Sequence, residues 1–155
     1  MPYSFSSGVI IRNPHMHDVN AMVRIEEASF GDPWSEEVLR ETIEVFYETS
    51  FCAIACGKII AFVICGLEDT GEVIYGHICT IATDPKYRDL GIGKELMKYA
   101  ETSVIARGAT AMQLEVRESN VLAQRFYAKL AYRPVCVFRS YYANGEDAIL
   151  MMKWF

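Results

Sequence analysis

A run of seven residues, Arg88-Asp89-Leu90-Gly91-Ile92-Gly93-Lys94, stands between a strand-like segment and a long helical pattern. Glycines at such a junction let successive backbone N–H groups point outward, and the start of a helix adds a partial positive charge. These groups are suited to a phosphate or a pyrophosphate, and the side chains of Arg88 and Lys94 can assist. The segment therefore predicts a phosphate-binding site. The alternative is that Gly91 and Gly93 only shape a turn into the helix.

Two well-known phosphate-binding motifs do not fit this loop. A P-loop needs a glycine five places before Gly93, where Arg88 stands, and a serine or threonine after the lysine, where Glu95 stands. The dinucleotide-binding fingerprint needs a glycine at position 96, which is Leu96. Neither motif accounts for this loop, so a phosphate site and a simple turn into the helix both stay open at this point.

The elements that position this loop follow from the spacing of apolar and turn residues. Ser35 can cap one helix, Ser119 or Asn120 another, and Asn144-Gly145 is typical of a hairpin turn. The helical pattern covers residues 17–30, a segment after Ser35, 92–107 and a segment after 120; the strand pattern covers 9–11, 51–56, 59–67, 73–83, 112–116, 135–142 and 148–154. The order β-α-α-β-β-β-α-β-α-β-β predicts one α/β domain over residues 1–155, with a mixed, mostly antiparallel central sheet flanked by helices.

The composition excludes several classes of protein. The 155 residues are 52% hydrophobic and 23% charged, which indicates a folded chain rather than a disordered one. The net charge of −5 offers no basic field to bind nucleic acid or an anionic membrane. The five cysteines are odd in number, form no CxxC pair and have apolar neighbours, so we expect buried thiols in a reducing compartment. With no signal-peptide pattern over residues 1–9, the sequence predicts a cytoplasmic protein.

The residues around the glycine loop resemble the acetyl-CoA signature of the GNAT N-acetyltransferases. Arg88, Gly91 and Gly93 give the pattern Arg-x-x-Gly-x-Gly, and the order of the elements agrees. The resemblance covers essentially the whole chain, and it is closest to the protein N-alpha-acetyltransferases of the ribosomal-protein-alanine type and their archaeal relatives. The matching segments are Ile81–Tyr87, Leu114–Asn120, Ala123 with Phe126-Tyr127, Phe30-x-x-Pro33-Trp34-Ser35, Gly76-His77-Ile78 and Tyr141-Tyr142.

This resemblance implies an acetyl-CoA site. Backbone groups of Ile81, Ala82 and Thr83 would pair with the pantetheine arm like an additional strand, Asn120 would touch that arm, and Tyr127 would lie near the sulfur. The pyrophosphate would lie against the loop of Arg88, Asp89, Leu90, Gly91, Ile92, Gly93 and Lys94. Ala131 stands where the family commonly has glycine, which concerns only the local turn.

Acetyl transfer from a thioester to an amine needs a neutral amine, a donor for the carbonyl oxygen and a proton for the leaving thiolate. Glu115 is the candidate base. Strand alternation places its side chain on the face opposite Leu114 and Val116. This position alone favours a solvated carboxylate, whereas the resemblance to the family favours a catalytic base. His77 is the second candidate, acting directly or through a water chain to Glu115. Tyr127 is the candidate acid, the alternative being a core aromatic residue.

Two further groups belong to the expected site. Backbone N–H groups near Ile81 would be the oxyanion donors, as the resemblance suggests. Cys79, two places from His77 on the same predicted strand, raises a covalent acyl-cysteine route, which a buried thiol disfavours. His15 and His17 are too few ligands for zinc, so no metal site is expected.

The acceptor groove is expected between two aromatic walls. Phe30, Pro33 and Trp34 would form one wall, although Trp34 is equally typical of core packing. Tyr141 and Tyr142 would form the other wall, where tyrosine hydroxyls can bond an extended peptide backbone. Because adjacent residues of a strand face opposite ways, only one of the two is expected to reach the peptide.

The nature of the acceptor amine follows from its ionisation. An α-amino group with a pKa near 7.7–8.0 is roughly 12% neutral at pH 7, against about 0.04% for a lysine amine. The favoured function is therefore acetylation of protein N-termini, with a ribosomal protein or nascent chains as partners. A lysine or small-molecule acetyltransferase and, in a different class, a non-catalytic acyl-CoA-binding sensor remain as alternatives.

Overall fold

The computed structural model describes residues 8–155. Most of the segment 1–9, in which the sequence has no signal-peptide pattern, lies outside the described residues. Within residues 8–155, seven strands and four α-helices follow one another in the predicted order. The strands are β1 Val9–Arg12, β2 Phe51–Ala55, β3 Lys58–Asp69, β4 Ile74–Thr83, β5 Ala111–Arg117, β6 Arg133–Phe138 and β7 Ala148–Trp154. The helices are α1 Val19–Ser29, α2 Glu36–Phe46, α3 Ile92–Ala106 and α4 Val121–Lys129.

All seven strands form one sheet in the order β1-β2-β3-β4-β5-β7-β6. Only β4 and β5 run parallel, and every other neighbouring pair is antiparallel. The prediction of a mixed, mostly antiparallel sheet is confirmed. The long connection that a parallel pair requires contains α3, which follows the glycine loop.

The two parallel strands separate part-way along their length. Their pairing ends at Ile78 opposite Leu114, but β4 continues beside β3 as far as Thr83 and β5 continues beside β7 as far as Arg117. A wedge-shaped opening therefore lies in the middle of the sheet. A register shift at Cys79 adds one residue to β4 relative to β3, and such a bulge bends a strand locally.

Apolar side chains cover both faces of the sheet. One core cluster contains residues of α3 and α4, among them Leu96, Met97 and Tyr127. The other cluster contains residues of α1 and α2, among them Met22 and Leu39. Burial on both faces explains why β3 is apolar over most of its length, whereas β5 alternates between buried and half-buried residues.

Three expectations need correction or comment. The predicted strand over residues 135–142 ends too late, because β6 ends at Phe138 and the chain then enters a loop. The cysteines are not all buried: Cys52 and Cys65 are, Cys79 is half-buried, and Cys56 and Cys136 are exposed, with all five unpaired. Within residues 8–155 no helix has the length and apolar character needed to cross a membrane.

Candidate active site

His77 and Glu115 meet where β4 and β5 begin to separate. The His77 Nε2 atom lies 2.8 Å from the Glu115 Oε1 atom, and the two side chains are 27% and 13% exposed. Glu115 lies on the face opposite Leu114 and Val116, as alternation predicts. His77 and Glu115 bond each other directly, whereas the sequence leaves a water chain between them as one of two possibilities.

The pair forms a coupled acid–base unit. The hydrogen bond to the Glu115 carboxylate raises the pKa of His77 above its ordinary value of 6.5, while burial acts in the opposite direction. The carboxylate therefore favours the protonated form of the imidazole beside it. The unit can take a proton from an amine that arrives beside it.

Tyr141 and Tyr142 lie near the same pair. Burial raises the pKa of both phenols, to about 12 for Tyr142, and the negative charge of Glu115 contributes to each shift. Their rings pack edge to face, with centroids 5.1 Å apart. Because both residues lie in the loop after β6 and not on a strand, the expectation that they face opposite sides of a sheet is wrong.

The Cys79 thiol lies on the same strand as His77 but is not activated. Burial is the main cause that raises its pKa to about 11, so the thiol is protonated near neutral pH. A nucleophilic cysteine instead needs surroundings that stabilise the thiolate. The raised pKa disfavours the covalent route.

Tyr127 is a buried residue of α4, at 7% exposure. Its ring packs edge to face against Phe126 and Tyr132, at centroid distances of 5.1 and 5.9 Å. Its neighbour Phe126 is only half-buried. Burial raises the pKa of the Tyr127 phenol, with a smaller contribution from Tyr142, so the hydroxyl carries its proton at neutral pH and can donate it.

The glycine loop ends in a helix start that has no side-chain cap. Gly91 is the N-cap residue of α3 in the left-handed conformation, at φ +82°, and the first bond within the helix is donated by Glu95 to the Gly91 carbonyl. The N–H groups of the preceding helical residues, Ile92, Gly93 and Lys94, are therefore left for a ligand. Asp89 is also left-handed, at φ +61°, which is typical of backbone nests that hold anions. This donor set fits a pyrophosphate.

Gly93 has a different role from Gly91. A Cβ atom at position 93 would lie 3.3 Å from the Phe126 ring, so the glycine lets α4 pack closely on the first turn of α3. Arg88 is also engaged within the protein: its Nε donates to the Thr83 carbonyl at 3.2 Å and its Nη2 to the Ser29 hydroxyl at 3.2 Å. These two bonds tie the loop to the end of β4 and to α1.

The opening between β4 and β5 provides the other half of a ligand site. Ile81, Ala82 and Thr83 pair with β3 along one edge, and the opposite edge of β4 has no strand beside it beyond Ile78. Such an edge can pair with the amide groups of an extended ligand. Asn120 follows β5 and caps α4, where its Oδ1 accepts from the Ala123 N–H at 3.1 Å.

Comparison with known proteins identifies this arrangement. Residues 19–132 match the family model described as Acetyltransferase (GNAT) family. The chain belongs to the GNAT acetyltransferases.

Relatives agree over nearly the full length of the acetyltransferase. It is 34% identical over 146 residues to an uncharacterized N-acetyltransferase of Methanocaldococcus jannaschii, covering 94% of this chain and 91% of that protein. It is 31% identical over 150 residues to an N-alpha-acetyltransferase of Sulfurisphaera tokodaii, covering 91% and 90% of the two chains. The crystal structure of the ribosomal-protein-S18-alanine N-acetyltransferase from Escherichia coli superimposes with a TM-score of 0.80 at 30% identity, covering 93% of this chain and 92% of that one. The resemblance and the fold expected from the sequence are confirmed.

The aromatic wall between α1 and α2 is held by a residue that the sequence did not single out. Glu26 of α1 is 2% exposed in the acetyltransferase. Its Oε2 accepts from the Trp34 N–H at 3.0 Å, and its Oε1 accepts from the Thr80 hydroxyl at 3.0 Å. Burial raises the pKa of this carboxyl. Glu26 therefore fixes the α1–α2 loop to β4 next to the bulge.

The three residues expected in this wall differ in burial. Phe30 and Trp34 are half-buried against the core cluster beneath α1 and α2, whereas Pro33 is exposed. Trp34 thus contributes to core packing and still presents part of its surface. No cluster of ligands suited to a metal ion is found within residues 8–155 of the acetyltransferase.

Proposed function

We propose that this acetyltransferase moves the acetyl group of acetyl-CoA to the free α-amino group of a protein N-terminus, by direct attack within a ternary complex. The observation that carries the proposal is the His77–Glu115 pair at 2.8 Å, located where β4 and β5 separate. Relatives named for N-alpha and ribosomal-protein-alanine acetylation, at about 30% identity over most of the chain, support the same acceptor class.

The proposed acetyl-CoA site combines the two features that suit a long anionic thioester. The uncapped N–H groups at the start of α3 bind the pyrophosphate, and the free edge of β4 at Ile81, Ala82 and Thr83 bonds the pantetheine arm. Asn120 lies after β5, on the other side of the opening, and contacts that arm. Solved relatives in this fold are described as bound to CoA or acetyl-CoA.

The chain's own groups manage the protons of the reaction. Acetyl-CoA supplies the thioester, whose carbonyl carbon gains a bond to the amine nitrogen and loses its bond to sulfur. Glu115, with His77 beside it, takes a proton from the amine. Tyr127 donates its proton to the departing sulfur, and backbone N–H groups near Ile81 bond the carbonyl oxygen as negative charge develops there. A neutral amine loses one proton on acylation, and the pair returns that proton to the phenol. When the amine arrives charged, its additional proton passes from the pair to solvent, so the phenol and the pair are both restored after each turnover.

An N-terminal amine suits a base of this kind. Its pKa near 7.7–8.0 leaves roughly 12% of it neutral at pH 7, some 300-fold more than for a lysine amine. Near neutral pH, the carboxylate–imidazole pair can accept the proton that the charged fraction of the N-terminal amine carries. The walls at Pro33 and Trp34 and at Tyr141 and Tyr142 would receive the first residues of the peptide, whose backbone is the same whatever its side chains.

The proposed function also indicates the partners and the cellular compartment of the acetyltransferase. We take the partners to be N-termini of ribosomal proteins or of nascent chains in the cytoplasm, and five unpaired thiols support a reducing compartment. Nucleic acid and membrane partners find no support in a net charge of −5.

The test is position-resolved mass spectrometry after incubation with acetyl-CoA. The acceptors are peptides with free N-termini that begin with Ser, Ala, Thr or Met and carry one internal lysine, together with N-blocked controls. We expect acetyl on the α-amine only. Acetyl on lysine in the blocked peptides would assign the protein to lysine acetylation. Acetyl-CoA binding without any product would favour a small-molecule acceptor or a sensor.

A further inference from the structure

Arg117 contacts the two loops that carry the proposed walls of the acceptor groove. It is the last residue of β5, two residues after Glu115 and on the same face of the sheet. Its Nη2 bonds the Asp32 Oδ2 at 2.6 Å, in the α1–α2 loop. Its Nη1 bonds the Glu146 Oε1 at 3.1 Å, and its guanidinium lies 3.9 Å from the centre of the Tyr142 ring, both in the β6–β7 loop.

We propose that Arg117 is a positioning residue that sets the width of the acceptor groove by bonding the two loops to each other. The proposal rests on the proposed function, since the groove matters only if a peptide binds there. An arginine is needed for this task because its planar fork can bond two carboxylates in different directions while its face covers an aromatic ring. A lysine offers one point charge and cannot do all three at once.

Arg117 is also the charge that balances two neighbouring carboxylates. Asp32 and Glu146, with Gly31, Ala143 and Asn144, line the same surface cavity of about 400 Å³ next to the arginine. Glu146 has a second bond, from the Ser119 N–H at 2.8 Å, which holds it at the end of β5 independently of Arg117. Asp32 is half exposed, and the arginine is the contact that draws its loop towards β5. Loss of Arg117 therefore frees the α1–α2 loop near Asp32 and leaves like charges facing each other.

The first experiment measures the connection without reference to activity. Amide hydrogen exchange is compared for the wild-type protein, Asp32→Asn and Arg117→Met. The control is Arg139→Met, which removes another arginine of the β6–β7 loop. The Arg139 side chain is 86% exposed, and its Nη1 lies 3.8 Å from the Asp147 Oδ2. We expect Asp32→Asn to increase exchange several-fold in residues 141–146, on the far side of the groove, as well as in 31–35. Faster exchange confined to 31–35 would overturn the proposal.

The second experiment measures transfer to the peptide that the wild-type protein acetylates. A displacement of about 1 Å at a reacting group lowers rates by about 100-fold. We therefore expect Arg117→Met to lower kcat/KM for the peptide 10- to 100-fold, with a higher KM and an unchanged Kd for acetyl-CoA. Arg117→Lys should recover only part of the loss, and Asp32→Asn combined with Arg117→Met should be no worse than Arg117→Met alone.

The two experiments separate the two proposals. An unchanged peptide KM in Arg117→Met, or additive losses in the double variant, would show that the arginine does not position the acceptor. A wild-type protein that acetylates lysine or a small amine would overturn the proposed function, and the exchange measurement would still decide whether Arg117 joins the two loops.

Discussion

Replacing Glu115 by glutamine tests the proposed base directly. Glutamine has nearly the same shape and can still hydrogen-bond His77 at a site where the carboxylate is only 13% exposed, so the geometry should persist. The task assigned to Glu115 is to remove the proton that about 88% of an N-terminal amine carries at pH 7, given a pKa near 7.7–8.0. Loss of that task lowers kcat/KM by about eightfold, or roughly 1.2 kcal/mol, at pH 7. At pH 9.5 the amine is almost fully neutral, and the variant should match the wild-type rate within about twofold.

The assay is the initial rate of peptide acetylation between pH 6.5 and 9.5, at saturating acetyl-CoA and low peptide concentration. The matched control is Glu118→Gln, which changes an exposed carboxylate three residues further along the chain and should have no effect. Wild-type kcat/KM at pH 7 in a folded Glu115→Gln protein would remove this residue from the mechanism. A loss of 100-fold or more that persists at pH 9.5 would refute the assigned step, because the carboxylate would then act in the transition state itself.

Three further predictions concern separate features of the protein. Glu26→Ala leaves two donors without an acceptor and should lower the free energy of unfolding by about 2 kcal/mol in denaturant titration, whereas Glu26→Gln should stay within about 1 kcal/mol of wild type. Because the pKa of Glu26 is raised in the folded state, the wild-type protein should lose stability as the pH rises from 4.5 through that pKa. Glu26→Gln should not show this pH dependence. In NMR titration, the pKa of His77 should lie above 6.5 in wild type and below 6.5 in Glu115→Gln, because burial, which lowers this pKa, is then no longer offset by the carboxylate. An unchanged pKa would mean that the 2.8 Å bond is absent in solution. Ala131→Gly should raise the free energy of unfolding by about 1 kcal/mol, because Ala131 adopts φ +76° at the end of α4, and an equal or lower stability would contradict this reading.

Local signals predicted most of the fold. The Ser35 hydroxyl accepts from the Val38 N–H and the Asn120 side chain from the Ala123 N–H, each three residues after the cap. The sequence therefore predicted the first of these caps and narrowed the second to Ser119 or Asn120. The end of β6 was not predictable in this way. Ser140 is left-handed at φ +50°, and its N–H bonds the Asp147 side chain seven residues further on. An aromatic run that resembles a strand is therefore turned into a loop by a distant carboxylate.

The candidate site was predictable only in part. His77 and Glu115 were each identified from the sequence, but their contact joins residues 38 positions apart and depends on the register of two parallel strands. Glu26 could not be recognised, because it stands beside an exposed glutamate in an amphipathic helix and its partner Thr80 is 54 residues away. Arg117 was quoted only as part of the family motif, and its bond to Asp32 spans 85 residues. Long-range polar contacts of this kind leave no local pattern in a sequence.

The opening between β4 and β5 also affects how stable the protein is when it works. Two strands in the middle of the sheet each lack a neighbour along part of one edge, so the free protein has a backbone surface that the proposed acetyl-CoA site would complete. A ligand that binds only the folded state at 100 times its Kd adds about 2.7 kcal/mol to the free energy of unfolding. For a chain of this size that amounts to roughly 5–11 °C in melting temperature. The concentration of acetyl-CoA would thus determine how often this enzyme unfolds, as well as how fast it works.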